Sequence, residues 1–282
     1  MSVKILVDSA ADISQAEAKE LGISLIPLKV YFGEEEYYDG VDLLPDQFFN
    51  KLIESDVLPK TSQITPFRFE EEYDILTKDG DELVVITLSS KLSGTYQSAV
   101  QAAEGYKDKV FVVDSQNATV GERLVAEYAI RLANEGKSAS EIADILNKSK
   151  KKVKLLALLN TLEYLKKGGR ISSAVAFAGE LISLKPVVSI IDGEVKLVGK
   201  ALGSKRGNNL LTTLVEKTSG IDFSMPFGVV KSGTDSTLLN KYVKDSAHLW
   251  QNDADSVPAH DIGSTIGTHV GPGAIGVAFF EK

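Results

Sequence analysis

The chain contains no cysteine. That absence excludes disulfides, thiolate zinc sites, iron–sulfur clusters and a cysteine nucleophile, and leaves the redox compartment unread. Histidine occurs three times, and His248, His260 and His269 form no pair at metal-ligand spacing, so no metal is expected. No stretch approaches the ~20 apolar residues of a membrane-spanning helix. The opening run Val3 to Val7 meets Asp8 too soon for a secretory hydrophobic region, so a cytoplasmic protein is expected. Positive charge is in deficit: 31 Lys and Arg stand against 39 Asp and Glu, a net charge of −8. A general nucleic-acid backbone binder is thereby disfavoured, and no nucleic-acid partner is expected.

What remains is ordinary globular material, 43% hydrophobic and 25% charged over 282 residues. That length suits one large domain or two ordinary ones, and two is the better reading. Val3–Val7, Leu25–Val30, Leu83–Thr87 and Val110–Val113 read as strands. Helical patterns separate them: Ser14 to Leu21 stopping at Gly22, Pro45 to Ile53, and Pro66 to Leu76 behind a Thr65 cap. The alternation predicts βαβ crossovers on a parallel sheet. Ser138 and Glu141 form a capping-box pattern, and the lysine run from Lys148 to Lys154 reads as a solvated helix end.

From about Val153 the apolar runs lengthen: Leu155–Leu159, Val187–Ile191, Val195–Val198, Phe227–Val230 and Ala274–Phe280. Asp192-Gly193 between two β-type runs predicts a two-residue hairpin, so the second sheet is at least partly antiparallel. The expected division is residues 1–153, an N-terminal three-layer α/β/α domain on a parallel sheet, and 154–282, an α/β domain with a mixed sheet. A ligand site belongs in the cleft between them. The segment Ala174 to Leu184 is apolar around most of its circumference if helical. It reads first as an interdomain core helix, or as a helix whose small residues leave room for an apolar ligand.

The strongest local signal is the strand Leu83–Thr87 followed by Ser89-Ser90-Lys91-Leu92-Ser93-Gly94-Thr95 and a helix. Hydroxyls beside a helix start, with its unpaired N–H groups, make an anion site, although Ser93 could equally serve as a cap. Thr61-Ser62-Gln63 forms a second hydroxyl cluster in a loop. Near the C-terminus, Gly271, Gly273 and Gly276 have dinucleotide-fingerprint spacing, but the chain runs on into a strand-like Val277–Phe280. The fingerprint needs a helix there, so the glycines read as a tight turn with His269 presented beside it. Asp8 and Asp12 fall at the end of the first strand, as site carboxylates or helix caps. Arg170 and Arg206 are candidate contacts for phosphate or a partner.

Together these pieces resemble the DegV family of bacterial fatty-acid-binding proteins. The matching residues run from Asp8-Ser9-x-x-Asp12 through Thr61-Ser62-Gln63, Ser89 to Tyr96, Val112 to Ser115, Leu162 to Ile171 and Lys185-Pro186-Val187 to Thr268–Gly276. Ile64 departs from the family's usual proline. The resemblance implies a two-domain α/β fold with a long-chain fatty acid buried between the domains and no other cofactor. It implies a ligand-binding set of Thr61, Ser62, Ser93, Gly94 and Thr95, with His269 nearby. It further implies a carrier, not an enzyme, whose partner is a separate fatty acid kinase making an acyl phosphate for phospholipid synthesis. Arg170 and Arg206 would then face that partner or the acyl phosphate, and membrane contact would be transient, without insertion. Two other readings stay open: a serine hydrolase or acyltransferase using Ser93, His269 and Asp8 or Asp12, and a phosphate-ester or nucleotide enzyme.

Overall fold

A computed structural model of the chain describes residues 2–171, 184–251 and 253–282. The first elements are β1 (Val3–Asp8), α1 (Gln15–Leu21), β2 (Ser24–Ile26), β3 (Lys29–Phe32), β4 (Glu35–Tyr38), α2 (Pro45–Glu54), β5 (Lys60–Ser62), α3 (Pro66–Thr77) and β6 (Glu82–Thr87). They continue with α4 (Thr95–Ala103), β7 (Val110–Asp114), α5 (Thr119–Asn134) and α6 (Ala139–Ser149). Strands β2-β1-β6-β7 form a parallel sheet in that order. Leu83, Val84, Val85 and Ile86 are buried in succession, which requires cover on both faces of β6. Helices α3 and α4 pack together against this sheet, and α5 and α6 do likewise.

Several starts and stops follow the local chemistry. Ser14 and Glu17 form a capping box on α1, which ends at Gly22 with φ +70°; Thr65 caps α3 ahead of Pro66; Ser138 and Glu141 cap α6 reciprocally. Two expectations are corrected. Leu25–Val30 is not one strand, because the chain turns at Pro27, which has no N–H to give a ladder, and divides into β2 and β3 in different sheets. Nor is Pro45–Ile53 a parallel crossover, since α2 joins β4 to β5 beside a small antiparallel sheet of order β4-β3-β5. That sheet carries Thr61, paired with Val30.

The second group comprises β8 (Val153–Leu158), α7 (Glu163–Lys167), β9 (Leu184–Ile191), β10 (Glu194–Leu202), α8 (Gly203–Glu216), β11 (Phe227–Lys231), α9 (Thr237–Asp245), β12 (Ala259–Asp261), α10 (Ser264–Val270) and β13 (Ile275–Phe280). Its sheet runs β10-β9-β8-β13-β11-β12 and is mixed, with β11 and β12 parallel and every other neighbouring pair antiparallel. The β9–β10 hairpin turns at Asp192 and Gly193, both at positive φ. Helix α5 is wedged between the sheets, packing on β1 and β6 as well as on β8, β11 and β13. The apolar stretch 174–183 lies outside the described residues. The lysine run is not wholly solvated: Lys150 Nζ donates to the Asp114 carbonyl at 2.7 Å, tying the end of α6 to the end of β7.

Candidate functional site

An apolar cavity lies between the two sheets, with ≈ 920 Å³ of empty space when the solvent at its mouth is included. Leu155, Ala157, Val188, Val230 and Ile275 from the mixed sheet face Leu28, Leu88 and Leu92 from the N-terminal part. Ile190 and Val195 reach it from the β9–β10 hairpin. The alternation of a strand, pointing successive side chains to opposite faces, lets one sheet line this space and still bury its other face against α8.

Thr119 and Thr265 are polar members of the lining, and a further polar group forms where Thr61, Arg170 and His269 meet. Thr61 on β5 and His269 in the last turn of α10 are 208 residues apart in sequence, yet Thr61 Oγ1 and His269 Nε2 form a 2.9 Å hydrogen bond. Ser62, Gln63, Ser93 and Arg170 line the same cavity. Ser93 does not cap its helix in the simple way: Gly94 is the N-cap, and Ser93 Oγ accepts from Thr95 N at 3.2 Å while meeting Thr95 Oγ1 at 2.9 Å. Thr95, fully buried, also takes Ile64 N at 3.4 Å, linking the two hydroxyl-bearing loops. Gly94 serves close packing, because a Cβ there would sit 2.0 Å from Gln63 Oε1. Thr95 and Gly94 thus shape the site from behind, whereas Thr61, Ser62, Ser93 and His269 face it.

A second recess meets this polar group from outside. Lys60, Tyr164, Lys167 and Gly168 line it, and it shares Thr61, Arg170 and His269 with the apolar cavity. Arg170 is held in place by its own donations, Nε to the Leu92 carbonyl at 3.0 Å and Nη1 to the Gly168 carbonyl at 2.6 Å. Burial lowers its pKa, but a guanidinium stays charged near neutral pH. Burial, and then the Arg170 charge, depress the His269 imidazole to about 4, so the ring is neutral at physiological pH. The junction is therefore a set of neutral hydroxyl and imidazole groups with one cation beside them, suited to a carboxylate.

Arg206 is not brought here: it is exposed on α8 and lines neither recess. Among the described residues no triad is assembled: His269 Nε2 is engaged by Thr61, and Nδ1 is buried with no hydrogen bond to a described carboxylate. Asp8 instead accepts Ala10 N and Leu88 N, and Asp12 accepts Gly263 N. The sequence reading missed the helical placement of His269, because Gly267 and the β-branched Thr265 and Ile266 weaken any helix signal. It also did not single out Lys60, beside Thr61-Ser62-Gln63, or Lys167, within Leu162 to Ile171, although both adjoin motifs it quoted. The glycine turn after His269 is wired inward: Gly271, at φ +69°, is crossed closely by the Tyr164 ring, and Ser232 Oγ donates to the Gly271 carbonyl. As argued, a strand follows it, β13, and not a nucleotide-binding helix.

Beneath the site lies a group of buried acids. Burial pushes the Asp8 carboxyl up to about 7. Glu122, on α5, is driven well above the usual carboxylate range, by burial first and then by the charges of Asp8, Asp12 and Asp114. Asp12 is raised by burial as well. Among the described residues no group of three or more His, Asp or Glu side chains is arranged to hold a metal ion.

Comparison with known proteins agrees over the whole chain. The family model described as an uncharacterised protein of the DegV family matches residues 2–282. A DegV domain-containing protein of Caldanaerobacter subterraneus is 33% identical over 282 residues, covering 99% of each chain. Among solved structures, a fatty-acid-binding DegV family protein from Thermus thermophilus superposes with a TM-score of 0.87 at 30% identity, covering 100% of both chains. DegV of Bacillus subtilis, described as a fatty acid binding protein, gives 0.84 at 28%, again covering 100% of both. With its sheet orders, its cleft and this full-length match together, the chain belongs to the DegV family.

Proposed function

We propose that this protein binds a long-chain fatty acid in the apolar cavity, with the carboxylate at Thr61, Ser93 and His269, and presents that head group to a separate fatty acid kinase. The observation that carries the reading is a cavity with mostly apolar walls that meets a basic outer recess at Thr61, Arg170 and His269. Burying ~14–16 methylenes at ~0.8 kcal/mol each supplies roughly 11–13 kcal/mol of gross driving force before ordering costs. A carboxylate taken into such a site must be hydrogen-bonded or forfeit several kcal/mol. Neutral donors meet that need, and Arg170 at the rim supplies positive charge without full burial.

Relatives described as fatty-acid binders support the ligand class. The outer recess, with Lys60, Lys167 and Arg170, gives a phosphorylating partner an anion-friendly approach to the head group. In this reading the protein is a carrier and the kinase does the chemistry, in the cytoplasm, with Arg206 on the surface offered to the partner. The working units are residues 1–153, which bring the hydroxyls, and 154–282, which cover the acyl chain. Denaturing the purified protein, extracting it with organic solvent and identifying the released lipid by mass spectrometry tests the proposal. A stoichiometric fatty acid in the wild type, lost or reduced in Thr61→Ala/Ser93→Ala, is expected. No lipid, and no uptake of added fatty acid, would overturn it.

A further inference from the structure

The segment Asp8-Ser9-Ala10-Ala11-Asp12 carries three polar side chains that are buried at the end of β1 and are not themselves in the lining of the apolar cavity. Each is bonded to a different piece of chain. Asp8 accepts Leu88 N at 2.8 Å, just ahead of the loop that bears Ser93. Ser9 Oγ accepts Leu28 N at 3.0 Å, immediately before β3, whose partner strand bears Thr61. Asp12 accepts Gly263 N at 2.8 Å, at the start of the helix that bears His269.

Asp39 completes the set. It is 2% exposed, accepts Ser9 Oγ at 2.9 Å, and takes both Ser264 N at 2.8 Å and Ser264 Oγ at 2.6 Å. Two carboxylates thus meet the first N–H groups of α10, which would otherwise lack partners. Gly263 permits the approach, since a Cβ there would lie 2.9 Å from Asp39 Oδ1 and 3.1 Å from Asp12 Oδ1. From these anchors α10 runs about one and a half turns to His269.

Buried carboxylates are a costly way to gain stability, and apolar residues of similar volume often serve as well or better. What they supply here is direction: one hub fixes three separately encoded segments that place Ser93, Thr61 and His269 in the lining of one cavity. A head-group site needs its donors held to within about half an ångström, because ordering them at binding would consume affinity. We propose that Asp8, Asp12 and Asp39 are positioning residues that hold the Ser93 loop, the Thr61 strand and the His269 helix in register for carboxylate recognition. The carboxylate part rests on the fatty-acid reading; the positioning part does not.

The test uses the full chain, delipidated, with Asp39→Ala and Asp39→Asn. The first readout, independent of any lipid, is the His269 imidazole signal in a two-dimensional ¹H–¹⁵N spectrum, assigned with His269→Gln. The second is the affinity for stearate compared with octadecanol, which keeps the tail and lacks the carboxylate. Asp39→Ala is expected to move the His269 signal and to weaken stearate tenfold or more while octadecanol changes less than threefold. Asp39→Asn, which keeps an acceptor for Ser264 N–H, is expected to stay within threefold for both. An unmoved imidazole signal, or equal losses for acid and alcohol, would overturn the proposal. If Asp39→Ala fails to fold, Ser264→Ala removes one donor and keeps the backbone bond, with a smaller shift in the same direction expected and no shift refuting. A wild type that binds neither stearate nor octadecanol would instead refute the fatty-acid reading, and the imidazole signal would still decide the positioning one.

Discussion

Gly168→Ala probes the head-group geometry without removing a polar atom. Gly168 closes α7 with φ −75° and ψ −9°, a conformation alanine adopts freely. Its missing side chain matters because an added Cβ would lie 2.2 Å from His269 Nδ1 and 2.9 Å from Cε1, whereas ordinary contact begins near 3.4 Å. The imidazole must therefore move by about 1.2 Å. A ring displaced that far cannot keep its 2.9 Å bond to Thr61 Oγ1 unless β5 moves with it. A carboxylate that no longer meets the displaced imidazole forfeits one hydrogen bond, ~1–1.5 kcal/mol or about tenfold in affinity. Calorimetric titration of the delipidated protein with stearate should show that loss, while octadecanol binding stays within about threefold; the thermal midpoint falls with the cost of the broken Thr61–His269 bond. Stearate affinity within twofold of wild type would refute the placement of the carboxylate at His269.

Ala157→Leu adds bulk to the cavity wall, and competition binding should shift preference from an 18-carbon toward a 14-carbon acid. At ~0.8 kcal/mol per displaced methylene the shift is up to about 2.4 kcal/mol, and an unchanged preference would place the tail elsewhere. Gly193→Ala forces an L side chain into φ +81° and sets its Cβ 2.6 Å from Ser89 Oγ, which donates to the Gly193 carbonyl at 2.7 Å. The expected cost is ~1–2 kcal/mol in urea unfolding, and no change would refute the contact between the hairpin tip and the Ser93 loop. Glu122→Gln tests the buried acids through pH. Glu122 has a folded-state pKa above its ordinary 4.5, so its contribution is full below 4.5 and is lost as pH rises toward the folded value. Asp8, at about 7, acts in the same sense, whereas His269, depressed from 6.5 to about 4, contributes above 6.5 and loses its contribution as pH falls. Glu122→Gln should flatten the decline of stability as pH rises above 4.5, by up to ~1.4 kcal/mol per pH unit, measured by denaturant titration, and an unchanged slope would show that Glu122 is ionised in the native state.

Local sequence determined a good deal of this protein. Ser14 with Glu17, Thr65 with Pro66, and Ser138 with Glu141 specified where helices begin, because a cap is a bond between residues a few positions apart. Asp192-Gly193 likewise specified the hairpin, through the positive φ angles that its turn requires. Hydroxyl clusters at Thr61 and Ser93 were visible as chemistry, and the ordered set of motifs pointed to the family. Tertiary structure alone decided what those clusters do together. It placed the halves of Leu25–Val30, divided at Pro27, in different sheets, and used the second half to build the small sheet that carries Thr61. It turned the stretch before His269 into a helix by packing Gly267 against Phe48 and Phe49 and pinning its start with Asp12 and Asp39. It set Thr61 against His269 and left Arg206 on another face. None of this could be read from the chain, because it depends on contacts between residues some 20 to 250 positions apart, whose free energy appears only once both sheets have closed on α5.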